Sequence, residues 1–252
     1  MRTAETIQTE YYTRTADSFE AWHGGDAEHN VALEYISALL PVYGISSVLD
    51  VGCGTGRGVK HFLARHPGVT VRGVEPVSAM REQAVLSGIP PEVLADGRGE
   101  ALPFADGSFD AVCEFGVLHH VENPAAVVAE MMRVARTAVF LSDHNRFAQG
   151  RILTRITKVA LYKAHLWGMA RFIRTRGRKY HISEHDGLAY SYSVFDSFDL
   201  LARWANTVIL IPTSASDRTS WFHPALTSNE ILACAIRCSG PVRRPTVEEG
   251  TT

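Results

Sequence analysis

The sequence predicts an α/β fold with a doubly wound, mainly parallel sheet, and three observations carry that prediction. From Val48 to Ser142, short apolar runs alternate with amphipathic stretches, the pattern of strands each followed by a crossover helix. The first run, Val48 to Val51, leads into glycines at every second position, Gly52, Gly54, Gly56 and Gly58, where a backbone can turn sharply and approach a ligand. The chain's 252 residues, 46% hydrophobic and 21% charged, suffice for one domain with a full core.

Residues 1–44 read as a helical cap: Glu5 to Trp22 holds aromatic residues among polar ones, and Val31 to Leu40 repeats apolar residues at three and four. Gly24 and Gly25 separate the two helices, and Pro41 with Gly44 ends the second. Residues 45–145 read as a core of alternating strands and helices. Its first strand spans 48–52, a helix follows from about Gly58 to His66, and the second strand runs from Val69 to Val74. Next come a helix from Ser78 to Ser87, with Ser78 as N-cap, and a short strand including Val93 and Leu94. Phe109 to Phe115 is the fourth strand, Pro124 to Val134 a helix, and Thr137 to Ser142 the fifth strand.

Composition then shifts. Residues 146–179 contain ten Lys or Arg and no Asp or Glu, while the remainder holds 15 basic against 27 acidic residues. Apolar residues recur there at helical spacing, so 146–194 is expected to be a basic helical lid after strand five, with a possible anionic partner at 146–179. Residues 195–240 complete the sheet, with a helix at 197–205 and strands at 207–211 and 230–238; 241–252 reads as a tail. No signal-like segment or long apolar run appears, so a cytoplasmic protein without a transmembrane segment is expected. Cys53, Cys113, Cys234 and Cys238 lack metal-ligand spacing, so no metal is expected; Cys234 and Cys238 read as a reduced pair on one strand face. Nucleic acid is disfavoured by the slightly acidic balance and the lack of a recognition module. Oligomeric state is not readable.

A dinucleotide loop needs a third glycine where this chain has Arg57. What stands here is Asp50 followed by Gly52, Gly54 and Gly56, an acid ahead of a bare backbone, which suits a cationic aminoacyl ligand. Glu75 closes the second strand 23 residues after Gly52, where a carboxylate can accept from both hydroxyls of a ribose. Two further stretches, Asp96 to Phe104 and Phe104 to Asp110, feed the fourth strand, which exits through Glu114, Phe115, Gly116 and the pair His119 and His120.

With these motifs the chain resembles the small-molecule branch of the class I S-adenosylmethionine-dependent methyltransferases, over residues 45–145 and more weakly over 207–238. The resemblance implies a Rossmann-like, seven-stranded sheet with an antiparallel last strand. It also implies S-adenosyl-L-methionine as cofactor, with S-adenosyl-L-homocysteine as product, and a small-molecule acceptor methylated at O or N. The cofactor residues it implies are Tyr12, Asp50, Gly52, Cys53, Gly54, Gly56, Glu75, Pro76, Met80, Asp96, Gly97, Glu114, Phe115 and Gly116. Arg98 stands where the family usually has the acid that receives the adenine amino group, so Asp96 takes that role after a two-residue shift, or backbone does. For the chemistry, His119 and His144 are candidate bases at the carboxyl edge of the sheet, because imidazole titrates near neutrality. Tyr11, His120, Tyr190 and Tyr192 are candidates for the acceptor pocket. A non-methylating protein of the same fold, or action on RNA or a carrier-bound acceptor, is the alternative.

Overall fold

A computed structural model describes residues 3–23, 25–175, 177, 180–183, 187–214 and 223–237. Three helices lead, α1 (Ala4–Thr15), α2 (Phe19–His23) and α3 (Ala27–Val42). The core then alternates β1 (Ser47–Val51), α4 (Arg57–Arg65), β2 (Thr70–Val74), α5 (Ser78–Leu86), β3 (Leu94–Ala95), β4 (Phe109–Phe115), α6 (Pro124–Val134) and β5 (Ala135–His144). Beyond it lie α7 (Ile152–Lys163), α8 (Trp167–Thr175), β6 (Tyr180–Ser183), β7 (Gly187–Tyr190), α9 (Phe198–Trp204), β8 (Thr207–Pro212), α10 (Pro224–Thr227) and β9 (Glu230–Ile236).

Seven strands form one sheet in the order β3-β2-β1-β4-β5-β9-β8, all parallel except β9, which runs against both its neighbours. The central strands are apolar at nearly every position because both faces are covered. Leu49, Val51, Val112 and Val139 point toward Val127, Val128 and Met131 of α6 and Leu201 of α9. Val48, Ala111, Cys113 and Phe140 point the other way, toward α3, α4 and α5. The chain order reverses between β1 and β4, so the loops after β1, β2, β4 and β5 open a crevice at one edge of the sheet.

Several boundaries differ from expectation for local reasons. The helix expected from Glu5 to Trp22 breaks after Thr15, whose hydroxyl bonds back to the Tyr11 carbonyl at 2.9 Å. Pro41 lies inside the last turn of α3; the stop comes from Gly44 at φ 65°, with the Ile45 amide donating to the Leu40 carbonyl at 2.9 Å. Ser78 is not the cap of α5: Val77 holds that position, and its amide donates to the Glu75 carboxylate at 2.9 Å. The short third strand sits one residue later than expected, and β5 continues through Asp143 and His144 because β9 pairs with it as far as His144 opposite Glu230. The lid is helical only in its first half; β6 and β7 form an antiparallel hairpin, docked on α1 where the Leu188 amide donates to Gln8 at 2.7 Å. Cys234 is buried in β9, while Cys238 and the tail 241–252 lie outside the described residues. Among the described residues no helix is long and apolar enough to cross a membrane.

Not every cation of the basic segment is a surface charge. Arg146 is buried, pairs through two nitrogens with Asp196, donates to the Ser191 carbonyl at 3.0 Å and lies over the rings of Phe147, Tyr162 and Trp167. Arg155 and Lys158 are spent on backbone carbonyls, those of Gly150 and Leu226 for the first and Arg146 and Gln149 for the second. Arg146 and Arg155 thereby tie the insertion to Asp196 and to Leu226 of α10, while Lys158 braces the insertion's own start.

Candidate functional site

The glycine loop connects β1 to α4 with Gly52 at φ 69° and Gly56 at φ 88°. A Cβ at Gly52 would fall 2.6 Å from Val117, and one at Gly56 would fall 2.0 Å from Ile89. The amides of Gly52 and Cys53 donate to the Val74 carbonyl at 2.8 and 3.1 Å, which ties the loop to the end of β2. From that end Glu75 reaches back: one carboxylate oxygen accepts from the Gly54 amide at 3.1 Å and the other from Val77. Gly58, read in the sequence only as part of the glycine run, has a role of its own: its missing side chain admits the Asp50 carboxylate, and a Cβ there would lie 2.4 Å from Asp50 Oδ2.

Two carboxyls are thereby enclosed beside the loop. Burial pushes Asp50 up to about 7, with Arg57 pulling the other way and Glu75 adding to the rise. Burial likewise pushes Glu75 up to about 7 against the pull of the two amides it accepts from. Burial holds the Cys53 thiol well above its ordinary value, so it is an inert packing group.

The crevice has two joined lobes of about 1070 and 710 Å³. Tyr12, Gly52, Gly54, Phe115, Gly116 and His120 line both. Glu75, Pro76, Met80, Asp96, Gly97 and Tyr190 line the larger lobe. Asp96 is exposed and pairs with Arg81 at 2.9 Å, while Arg98 pairs with Glu5 of α1 across the mouth. Asp50, Cys53, Arg57, His29, His119 and His144 line the smaller lobe.

In that smaller lobe the structure brings together residues far apart in the chain. His119 Nδ1 donates to Asp143 Oδ1 at 2.8 Å. Asp143, fully buried, also accepts from the backbone amides of Leu118 at 2.9 Å, His119 at 3.3 Å and His144 at 2.6 Å. Burial alone would raise its carboxyl; His119 and His144 overcome this and hold it far below the usual range. With Nδ1 committed to a carboxylate, the ring presents Nε2 as its second nitrogen. His144 stacks on His119 with ring centroids 4.2 Å apart and bonds through Nδ1 to Glu230, which, against the effect of burial, raises its pKa. His120 turns aside, donating from Nδ1 to the Leu188 carbonyl at 2.8 Å. Glu114 is fully buried beneath them and accepts from the Val117 amide at 2.9 Å; burial, with Asp143 nearby, holds its carboxyl well above the usual range. His29 of α3, also unforeseen, bonds Ser142 at 3.0 Å and is pushed down to about 4 by burial and Arg57.

His119, Asp143 and His144 are the group among the described residues whose ligand atoms come within 4.8 Å of one another, as a metal would require. Each Asp143 oxygen already accepts two N–H donors, so the geometry favours a hydrogen-bond hub that orients His119.

Two expected acceptor residues are elsewhere. Tyr11 is buried against the hairpin, where a Cβ on Gly187 would fall 2.8 Å from its ring. Tyr192 is buried in the core beside Leu118 and Met131, its hydroxyl 2.8 Å from that of Ser197. Tyr190 and Tyr192 part because β7 ends at Tyr190 and the chain turns, the Tyr192 amide donating to the Tyr190 carbonyl at 2.9 Å.

Comparison with known proteins bears on residues 49–141, which match a family model described as a methyltransferase domain. A ubiquinone biosynthesis O-methyltransferase of Xanthomonas oryzae pv. oryzae is 34% identical over 122 residues, 46% of this chain and 50% of that protein. Norajmaline N-methyltransferase of Rauvolfia serpentina is 33% identical over 94 residues, 35% of this chain and 32% of that one. The chain thus spans about half the length, or less, of these curated relatives. Magnesium protoporphyrin IX methyltransferase from Synechocystis PCC 6803, solved with bound SAM, superposes with a TM-score of 0.59 at 17% identity, covering 94% of this chain and 99% of that one, which shows a common fold.

Proposed function

We propose that the chain, whose residues 49–141 match a methyltransferase-domain family model, binds S-adenosyl-L-methionine in the two-lobed crevice and transfers a methyl group to a small-molecule oxygen or nitrogen acceptor. The observation that carries this reading is the pair of enclosed carboxyls, Asp50 and Glu75, one on each side of a glycine loop at the switch point of the sheet. A cationic aminoacyl group near Asp50 and a ribose diol at Glu75 are the partners such acids suit. Relatives named as an O- and an N-methyltransferase support either kind of acceptor atom.

Bound, the cofactor supplies an electrophilic methyl on a sulfonium. Glu75 would hold the ribose, Met80 with Asp96 and Gly97 would face the adenine, and the Gly52 to Gly56 backbone with Asp50 would hold the aminoacyl end. Gly116 permits close approach, and Phe115 walls both lobes. His119, oriented by Asp143, takes the proton of a hydroxyl or ammonium acceptor at Nε2; His144, stacked on it, is the second candidate. Alignment of two bound reactants supplies roughly 7 to 11 kcal/mol of barrier lowering, and the base is needed only for an acceptor that enters protonated. The basic segment 146–179 would face an anionic partner.

Calorimetry with S-adenosyl-L-methionine and S-adenosyl-L-homocysteine tests the reading. Glu75→Gln keeps one carbonyl acceptor in place of two and is expected to weaken both ligands by at least about tenfold. No binding of either ligand to the wild-type chain would remove the proposal.

A further inference from the structure

We propose that the first half of the lid, α7 with α8, docks on an anionic lipid bilayer. Each helix leaves a stripe of large apolar side chains in solvent. On α7, Leu153 (74% exposed) and Ile156 lie one turn apart. On α8, Met169, Phe172 (66% exposed) and Ile173 recur at intervals of three and four. Helical side chains so spaced share a face, and a face this apolar is not a solvated one. The ends of α7 carry exposed cations, Arg151 at its cap and Lys163 at its last residue, and residues 146–179 contain no Asp or Glu at all.

Charge decides the occupant. Outside this segment acids outnumber bases by 27 to 15, so an anionic surface repels the rest of the molecule and admits only this face. An acidic soluble protein would satisfy the cations but leave no reason for leucine, isoleucine and phenylalanine in water at the same place. Basic residues flanking an apolar helical face are the composition that lies in a lipid interface, with the aliphatic face inserted and the cations at the headgroups. Arg146 makes the device firm, since its buried pair with Asp196 and its three aromatic neighbours clamp the start of the insertion to the domain. The same insertion ends in the hairpin that brings Tyr190 to the larger lobe, so the docking face and a wall of the crevice belong to one stretch of chain. The proposal deepens the anionic-partner reading of this segment and does not depend on methyl transfer.

The test is sedimentation of the whole chain with vesicles of phosphatidylcholine alone and with about 30% phosphatidylglycerol. The expected result is at least about tenfold stronger binding to the anionic vesicles, weakened by salt. Leu153→Ser combined with Phe172→Ser should lose about tenfold or more, because the inserted face is gone. Arg151→Gln combined with Lys163→Gln should lose several-fold and flatten the salt dependence. Cofactor affinity, read separately by calorimetry, and melting temperature should match the wild type in both. Absence of binding at low salt, equal binding to both vesicle types, or an apolar variant that binds undiminished would each overturn the proposal. So would light scattering that shows the wild type as a dimer which the apolar variant dissociates. Vesicle binding lost with cofactor binding intact refutes docking alone; the reverse result refutes the crevice reading alone.

Discussion

Asp50→Asn preserves the size of a fully buried side chain and removes its charge, so it reads the electrostatics of the crevice directly. The wild-type carboxyl is pushed from 3.8 to about 7 by burial. Between those values the folded chain keeps a proton that the unfolded chain has shed, so stability falls as pH rises through the window and is level above it. From pH 5 to pH 8.5 the wild type without ligand should therefore lose about 2 to 3 kcal/mol relative to the asparagine variant. Urea melts of both proteins across that range measure the gap. Calorimetry should show the opposite for the ligand: S-adenosyl-L-methionine binds the wild type more tightly as pH rises toward 7, and the variant at pH 8 binds at least about 30-fold more weakly, the loss expected when one partner of a buried charge pair is removed. Parallel stability curves together with equal affinities would refute the assignment of Asp50 as a buried acid facing a cation.

Two other substitutions address separate parts of the molecule. Asp143→Asn should lower kcat about 10²-fold or more with a smaller change in KM, once an acceptor is identified, because His119 loses the carboxylate that orients it; a matching rise in KM with kcat unchanged would mean that Asp143 serves only packing. Arg146→Met should cost about 2 to 4 kcal/mol in thermal melts and speed proteolytic cleavage between residues 150 and 175, since Asp196 loses its partner and three aromatic rings lose the cation they surround. Unchanged cleavage would show that the insertion is held by its other contacts.

Local chemistry made much of this legible beforehand. Asp50, the glycines and Glu75 are readable because each sits at the end of a strand that its own neighbours specify, and the loop between them needs glycine at Gly52 and Gly56 for reasons of space. The doubly wound sheet followed from the alternation, and its antiparallel strand followed from the resemblance. What escaped was whatever depends on distant pairing. Asp143 meets His119 across 24 residues because β4 lies beside β5, and Glu230 meets His144 across 86 because β9 pairs with β5. Tyr192 leaves the crevice because the chain turns where β7 ends at Tyr190, a turn set by distant packing. A count of ten cations also treated Arg146 like its neighbours, although it is buried and paired, because a sequence carries no record of burial for a charged residue.

The position of β9 bears on how the molecule is made. It follows β8 in the chain yet lies between β8 and β5, so seven residues, Glu230–Ile236, must slot into a gap flanked by strands synthesised earlier. Until they do, β5 keeps an open edge of unpaired amides and carbonyls, and Glu230 is not yet beside His144. A nascent chain ending before residue 230 thus offers an open sheet edge, the kind of surface on which partly made chains associate, and lacks the Glu230 partner of His144.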